Sequence, residues 1–252
     1  MNYNLKNKMR IGSVVFLTTF MGLIIKSQTA ENILEKVDAN MSSTNRIIES
    51  SMTIHGKRGS RTITSKSSSV GTKKSFTEYL SPASEKGTKM LKLENQLWIY
   101  SPSTDRIIQI SGHLLRQSVM GSDMSYEDMM EDRKLNEVYT AKIIGEEKIG
   151  DRTCKILELT SKVADIAYYS QKIWVDAERF VPLQQELFAK SGQQLKLIEL
   201  KDVKKNGERW FPTTVIYKDM LKNGNGTEMK ILDIKFDQKI EEVVFSKASL
   251  KQ

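Results

Sequence analysis

Lys86-Gly87-Thr88-Lys89-Met90-Leu91, Leu97-Trp98-Ile99-Tyr100-Ser101-Pro102 and Arg106-Ile107-Ile108-Gln109-Ile110 are three short apolar or alternating runs. Glu94-Asn95-Gln96 and Ser103-Thr104-Asp105 separate them, which predicts successive antiparallel strands. The stretch then continues as Arg116-Gln117-Ser118-Val119-Met120-Gly121-Ser122-Asp123-Met124-Ser125-Tyr126-Glu127-Asp128. Here a helix is predicted from Ser125 to about Val138. Ser125 can cap it, Asp128 follows three residues later, and Met124 and Met129 hold the two staple positions. A curved sheet that drops a methionine-rich segment (Met120, Met124, Met129, Met130) beside its face implies a greasy cavity under a flap. A loosely packed seam between helix and sheet fits the same residues, and the sequence leaves both open.

Working outward, Ile33, Leu34, Val37 and Met41 fall at helical spacing, so Ala30 to Met41 reads as an amphipathic helix. From Ile48 the period becomes two. Arg61 to Ser69 is a very polar strand, expected to be exposed or at an edge. Lys74 to Leu80 follows, ended by Ser81-Pro82. Beyond Val138 a series of strands is punctuated by Gly150-Asp151, Ser191-Gly192, Asn206-Gly207 and Asn223-Gly224-Asn225-Gly226, which are hairpin signals. The tail from Ile240 to Leu250 is expected to fold back on the sheet through Val244, Phe245 and Leu250. The total is about a dozen strands with few helices, no dividing linker and no repeat. This predicts a mainly β (α+β) chain: one strongly curved, half-open antiparallel barrel with helices lidding its concave face.

Lys6, Lys8 and Arg10 precede an apolar run from Ile11 to Ile25, which is short against the roughly 20 residues of a membrane-spanning helix. Residues 1–27 are therefore expected to be a cleavable export signal, cut after Ser27 or after Ala30, leaving 28–252 as a single domain. No cysteine lies near the cut, which excludes a lipid-modified N-terminus. The formal net charge of +8 falls to +4 once Lys6, Lys8, Arg10 and Lys26 are set aside, and no long basic block remains. That gives nucleic-acid binding little support. Cys154 is the one cysteine, so the fold must rest on its core rather than on a disulfide within the chain.

Catalytic chemistry finds few footholds. His55 and His113 stand apart, no phosphate loop or nucleophile elbow appears, and no close-spaced histidine pair suggests a metal. The acidic group Asp123, Glu127, Asp128, Glu131 and Asp132 fits the first turns of a helix, where carboxylates favour the dipole. Asn225-Gly226-Thr227 matches a glycosylation sequon but reads more simply as a turn. No cofactor, catalytic residue or metal ligand is expected.

With these residues quoted, the chain resembles the outer-membrane lipoprotein-sorting family, the LolA-like carriers. The first half of the likeness lies in Lys86 to Leu91, Leu97 to Pro102 and Met120 to Asp128. The second lies in Trp174-Val175-Asp176, Pro182-Leu183, Glu186, Gly192, Lys196, Val244-Phe245-Ser246 and Leu250. The resemblance implies an open, roughly eleven-stranded barrel, helices over a hydrophobic cavity, and non-covalent carriage of an acyl-bearing cargo. Its partners would be lipoprotein or lipid acyl chains, an inner-membrane transporter and an outer-membrane acceptor, with the carrier a monomer. Cavity contacts are expected from Phe76, Met90, Leu91, Trp98, Tyr100, Ile108, Met120, Met124 and Trp174. The rival readings are a scaffold that docks an envelope export protein and carries nothing, and an envelope lipid or sugar hydrolase using His113.

Overall fold

The computed structural model describes residues 28–57, 59–131 and 133–252, so the signal-like segment lies outside the described residues. Six strands form the first meander: β1 (Asn45–Gly56), β2 (Gly59–Val70), β3 (Lys74–Ser81), β4 (Lys89–Leu93), β5 (Gln96–Ser101) and β6 (Arg106–Ile110). Seven form the second: β7 (Tyr139–Ile149), β8 (Arg152–Ser161), β9 (Ser170–Asp176), β10 (Pro182–Phe188), β11 (Gln194–Asn206), β12 (Arg209–Asp219) and β13 (Thr227–Phe236). All thirteen make one antiparallel sheet, against the eleven or so that the resemblance implied. β1 pairs with β13 and fuses the meanders, while β6 and β7 are the edges of the sheet among the described residues. The barrel is therefore curved but open.

The turn chemistry explains the meanders. Gly150, Gly192, Gly207 and Gly226 all hold positive φ between paired strands. At Gly226 a Cβ would lie 2.8 Å from the Tyr217 carbonyl oxygen, so only glycine fits. The next residue, Thr227, is fully buried and opens β13. The sequon-like Asn225-Gly226-Thr227 is not the turn its composition suggested, because Asn225 and Gly226 hydrogen-bond the backbone of His55 on β1 and the chain turns earlier, at Asp219–Lys222.

β2 is not at an edge, despite its polarity. It lies between β1 and β3, and its inward serines are satisfied across the sheet. Ser65 bonds Ser50 at 3.2 Å and Ser67 bonds Thr77 at 2.8 Å. Hydroxyl pairs between strands replace apolar packing there.

α1 (Ala30–Met41) begins where Thr29 caps the Asn32 amide. Its buried Ala30, Ile33, Leu34 and Val37 cover Leu157, Leu159, Ile173 and Val175 of the second meander. The helix expected from Ser125 to Val138 is two short pieces, α2 (Tyr126–Met130) and α3 (Leu135–Val138). Glu131 turns extended and grips Arg133, which also reaches Asp165. α3 starts afresh because the Asp38 carboxylate accepts from the Leu135 and Asn136 amides. On the outer face, Phe245 and Leu250 of the tail pack on Leu91 and Trp98, as its apolar residues led one to expect. No helix among the described residues is long and apolar enough to cross a membrane.

Candidate functional site

The chain from 111 to 138 links the two edge strands by running across the inner face, and it acts as a strap. Its Ser-x-x-Asp capping box forms: Ser125 accepts from the Asp128 amide at 3.2 Å and Asp128 accepts from the Ser125 amide at 2.7 Å. The motif does more than cap. The Asp123 carboxylate accepts from the Thr227 hydroxyl at 2.6 Å and from the Asp219 amide at 3.1 Å. Lys196 donates to Asp128 at 2.7 Å and to the Asp123 carbonyl at 2.6 Å, and Tyr168 donates to Asp128 at 2.5 Å. Burial would raise the Asp128 carboxyl, but Lys196, Tyr168 and the Ser125 amide outweigh it and hold the group below its ordinary range. Burial, and then the same Asp128 carboxylate, push the Tyr168 phenol up.

On the other half of the sheet, Arg61 donates to the Met120 carbonyl, and Lys92 donates to the Met130 carbonyl at 3.1 Å. Met120 takes a left-handed conformation (φ 51°) to present that carbonyl. Both meanders are thus tied to one strap, and the acidic motif is its anchor. Among the described residues no group of His, Cys, Asp and Glu is arranged to hold a metal.

Between strap and sheet lies a cavity of about 360 Å³, within the ~300–1,000 Å³ typical of ligand sites. Ile48, Val215, Tyr217, Met229 and Ile231 form its sheet wall, and Met124 and Met129 form its strap wall. A second space of about 240 Å³ shares Met124, Glu131 and Tyr217 and extends toward Leu187 and Ile198. Burial pushes the Tyr217 phenol up to about 12. A larger open space of about 760 Å³ shares Thr72 and Glu131 with the first cavity.

Strand alternation divides the residues expected to line the cavity. Met90, Met120 and Met124 join one inner cluster with Met52, Met129 and Met229. Of the nine, Met124 alone lines the 360 Å³ space directly. Phe76, Leu91, Trp98 and Tyr100 point the other way, into the cluster under the C-terminal tail, where Lys247 lies 4.2 Å from the Trp98 ring. Trp174 is also turned away from the inner face, because its neighbours Ile173 and Val175 take the inward positions. Its indole donates to Glu147 at 2.8 Å under Lys172. Ile108 is half exposed on edge strand β6. For Phe76, Leu91, Trp98 and Tyr100 the reason is shared: a strand with apolar residues on both faces gives no periodic clue to which face is the cavity.

Sequence reasoning missed Arg46, Ile48, Val215, Tyr217, Met229 and Ile231 as wall residues. They come from the β1–β13–β12 seam, which joins the two ends of the chain. The period-two pattern from Ile48 gave their parity but not their partners.

An open antiparallel barrel crossed by an acid-anchored strap over a largely apolar cavity is a fold that solved LolA-like structures share. A domain from Vibrio parahaemolyticus named for outer membrane lipoprotein sorting matches with a TM-score of 0.77 at 23% identity, covering 88% of this chain and 98% of that one. A DUF1329 family protein from Desulfovibrio piger matches with a TM-score of 0.79 at 22% identity, over 87% and 97%. A LolA superfamily protein from Nitrosomonas europaea matches with a TM-score of 0.72 at 24% identity, over 88% and 99%. At these identities the likeness establishes the fold. The family model described as "Uncharacterized protein" matches residues 71–252, and the chain belongs to that family. No curated protein matches it.

Proposed function

We propose that this chain is an exported, non-catalytic carrier that holds the acyl chains of a lipoprotein or lipid beneath its strap and moves them toward the outer membrane. The observation that carries this reading is the cavity walled by Met124, Met129, Met229, Ile48 and Val215 between strap and sheet. Flexible thioethers on both walls suit a cargo of variable shape. Each methylene buried contributes about 0.8 kcal/mol, so a chain of about sixteen carbons supplies on the order of 12 kcal/mol before ordering costs. The fold shared with a domain named for lipoprotein sorting supports the same direction. The carrier acts as a monomer in the periplasm, between an inner-membrane transporter and an outer-membrane acceptor. Signal cleavage falls after Ser27, because a cut after Ala30 would remove the Thr29 cap and the buried Ala30 from α1.

The test is binding of a fluorescent fatty acid to the mature protein and to Met129→Asp, Met229→Asp and Trp174→Phe variants. The two charged substitutions should abolish binding while strand-rich circular dichroism persists, and Trp174→Phe should bind normally. Undiminished binding by both Asp variants would remove the cargo from this cavity. A protein that binds no lipid at all would point to the docking scaffold instead.

A further inference from the structure

The floor of the cavity is graded in polarity. Strand register places Arg46, Ser69, Ser75 and Lys92 side by side in one row across β1, β2, β3 and β4. Three strand spacings make that row roughly 14 Å long. All four side chains line the cavity, on the side where Gly71 and Thr72 form its rim. The next row inward is Ile48, Ser67, Thr77 and Met90, and beyond Ser50 the strands present Met52 and Ile63. Polarity therefore falls from the Gly71–Thr72 rim toward Met52 and Ile63.

Arg46 is the unusual member of the first row. It is half-buried, and its Nε donates to Ser69 at 3.3 Å. Its remaining guanidinium nitrogens have no hydrogen-bond partner, and it has no ion-pair partner, among the described residues. A guanidinium taken partly out of water without a carboxylate is costly, and the planar fork fits a carboxylate or phosphate in two-point contact. Among the described residues, the carboxylate lining the cavity is that of Glu131, and Arg133 holds it at 2.7 Å. Lys92, at the far end of the row, is already engaged with the Met130 carbonyl.

We infer that the cavity takes an anionic amphiphile, with a carboxylate or phosphate on Arg46 and the Ser69–Ser75 hydroxyls and its acyl chain among Met124, Met129 and Met229. This rests on the carriage reading above and sharpens it. A neutral acyl chain would gain nothing from this row, whereas a charged headgroup completes it.

The test compares hexadecanoic acid, hexadecyl phosphate and hexadecanol as displacers of a bound fluorescent fatty acid, at a pH where the acid is ionised. The wild-type protein should bind at least one anion on the order of tenfold or more tighter than the alcohol. The order of the two anions says whether carboxylate or phosphate is the natural headgroup. Arg46→Gln should lose that preference while keeping its affinity for hexadecanol, which shows that it remains folded. Arg46→Lys should retain most of the preference. Equal binding of alcohol and anions by the wild type, or an undiminished preference in Arg46→Gln, would overturn the inference while leaving carriage intact. Binding of none of the three would overturn carriage and this inference together.

Discussion

Lys196 on β11 and Asp128 on the strap form an ion pair at 2.7 Å, with side-chain exposures of only 9% and 13%. The same ammonium holds the Asp123 carbonyl, so one cation fixes two points of the strap against the second meander. Removing one partner of such a pair strands a buried charge. Asp128→Ala should cost about 3–5 kcal/mol in urea denaturation. The double variant with Lys196→Met should recover much of that loss, and strict additivity in the cycle would contradict the coupling.

A depressed carboxyl makes stability depend on acid. Asp128 lies below its ordinary range for the reasons given. Asp176 does too, because the Arg152 guanidinium and the Glu178 and Arg179 amides outweigh its burial. Groups whose folded pKa is lowered contribute stability above their unfolded value of about 3.9 and lose it as pH falls through the folded one. Denaturation midpoints should therefore be steady from pH 7 to 5 and fall below about pH 4. In Asp128→Asn the acid-dependent drop should be smaller.

At the alkaline end the sign reverses. Burial pushes Tyr139 and Tyr217 up to about 12. The stability they contribute is complete below the unfolded value of about 10 and disappears as pH rises through the folded ones. Ultraviolet titration should show a late-ionising tyrosine class that merges with the ordinary class on unfolding.

Gly226→Ala should destabilise the protein by more than ~1 kcal/mol, because the residue sits at positive φ and an added Cβ strikes the Tyr217 carbonyl. The Thr227 anchor of Asp123 lies one residue on, so hydrogen exchange in the strap should quicken as well. Unchanged exchange would separate Gly226 from the strap.

Leu250 is fully buried against Leu91 and Trp98. Leu250→Ala should cost about 2–5 kcal/mol. It should also shift the Trp98 emission to longer wavelength while leaving lipid binding intact, since this cluster is on the face away from the cavity. Loss of binding without unfolding would contradict that separation.

Local signals carried most of the fold. The Ser125–Asp128 capping box, the Asn206-Gly207 turn, the Ala30–Met41 helix and the folded-back tail can each be read within a few residues. The site was less legible because it is assembled across distance. Asp123 meets Thr227 and Asp128 meets Lys196 only once the chain ends are joined at β1–β13, and Asp38 caps a helix almost a hundred residues away. Facing was the other gap. Trp98 and Met90 are equally apolar, and only the tail packing on one and the strap packing on the other assigns their sides. The serines of β2 looked like an edge because hydroxyl ladders and solvent-facing polar runs share one composition.

The most direct test of carriage is native mass spectrometry of the mature protein purified from the cells that make it, followed by solvent extraction and identification of what is released. Carriage requires an acyl-bearing molecule bound at near-unit stoichiometry and lost in the Met229→Asp variant. A clean unliganded mass, with no uptake of added fatty acid or phospholipid, would contradict it.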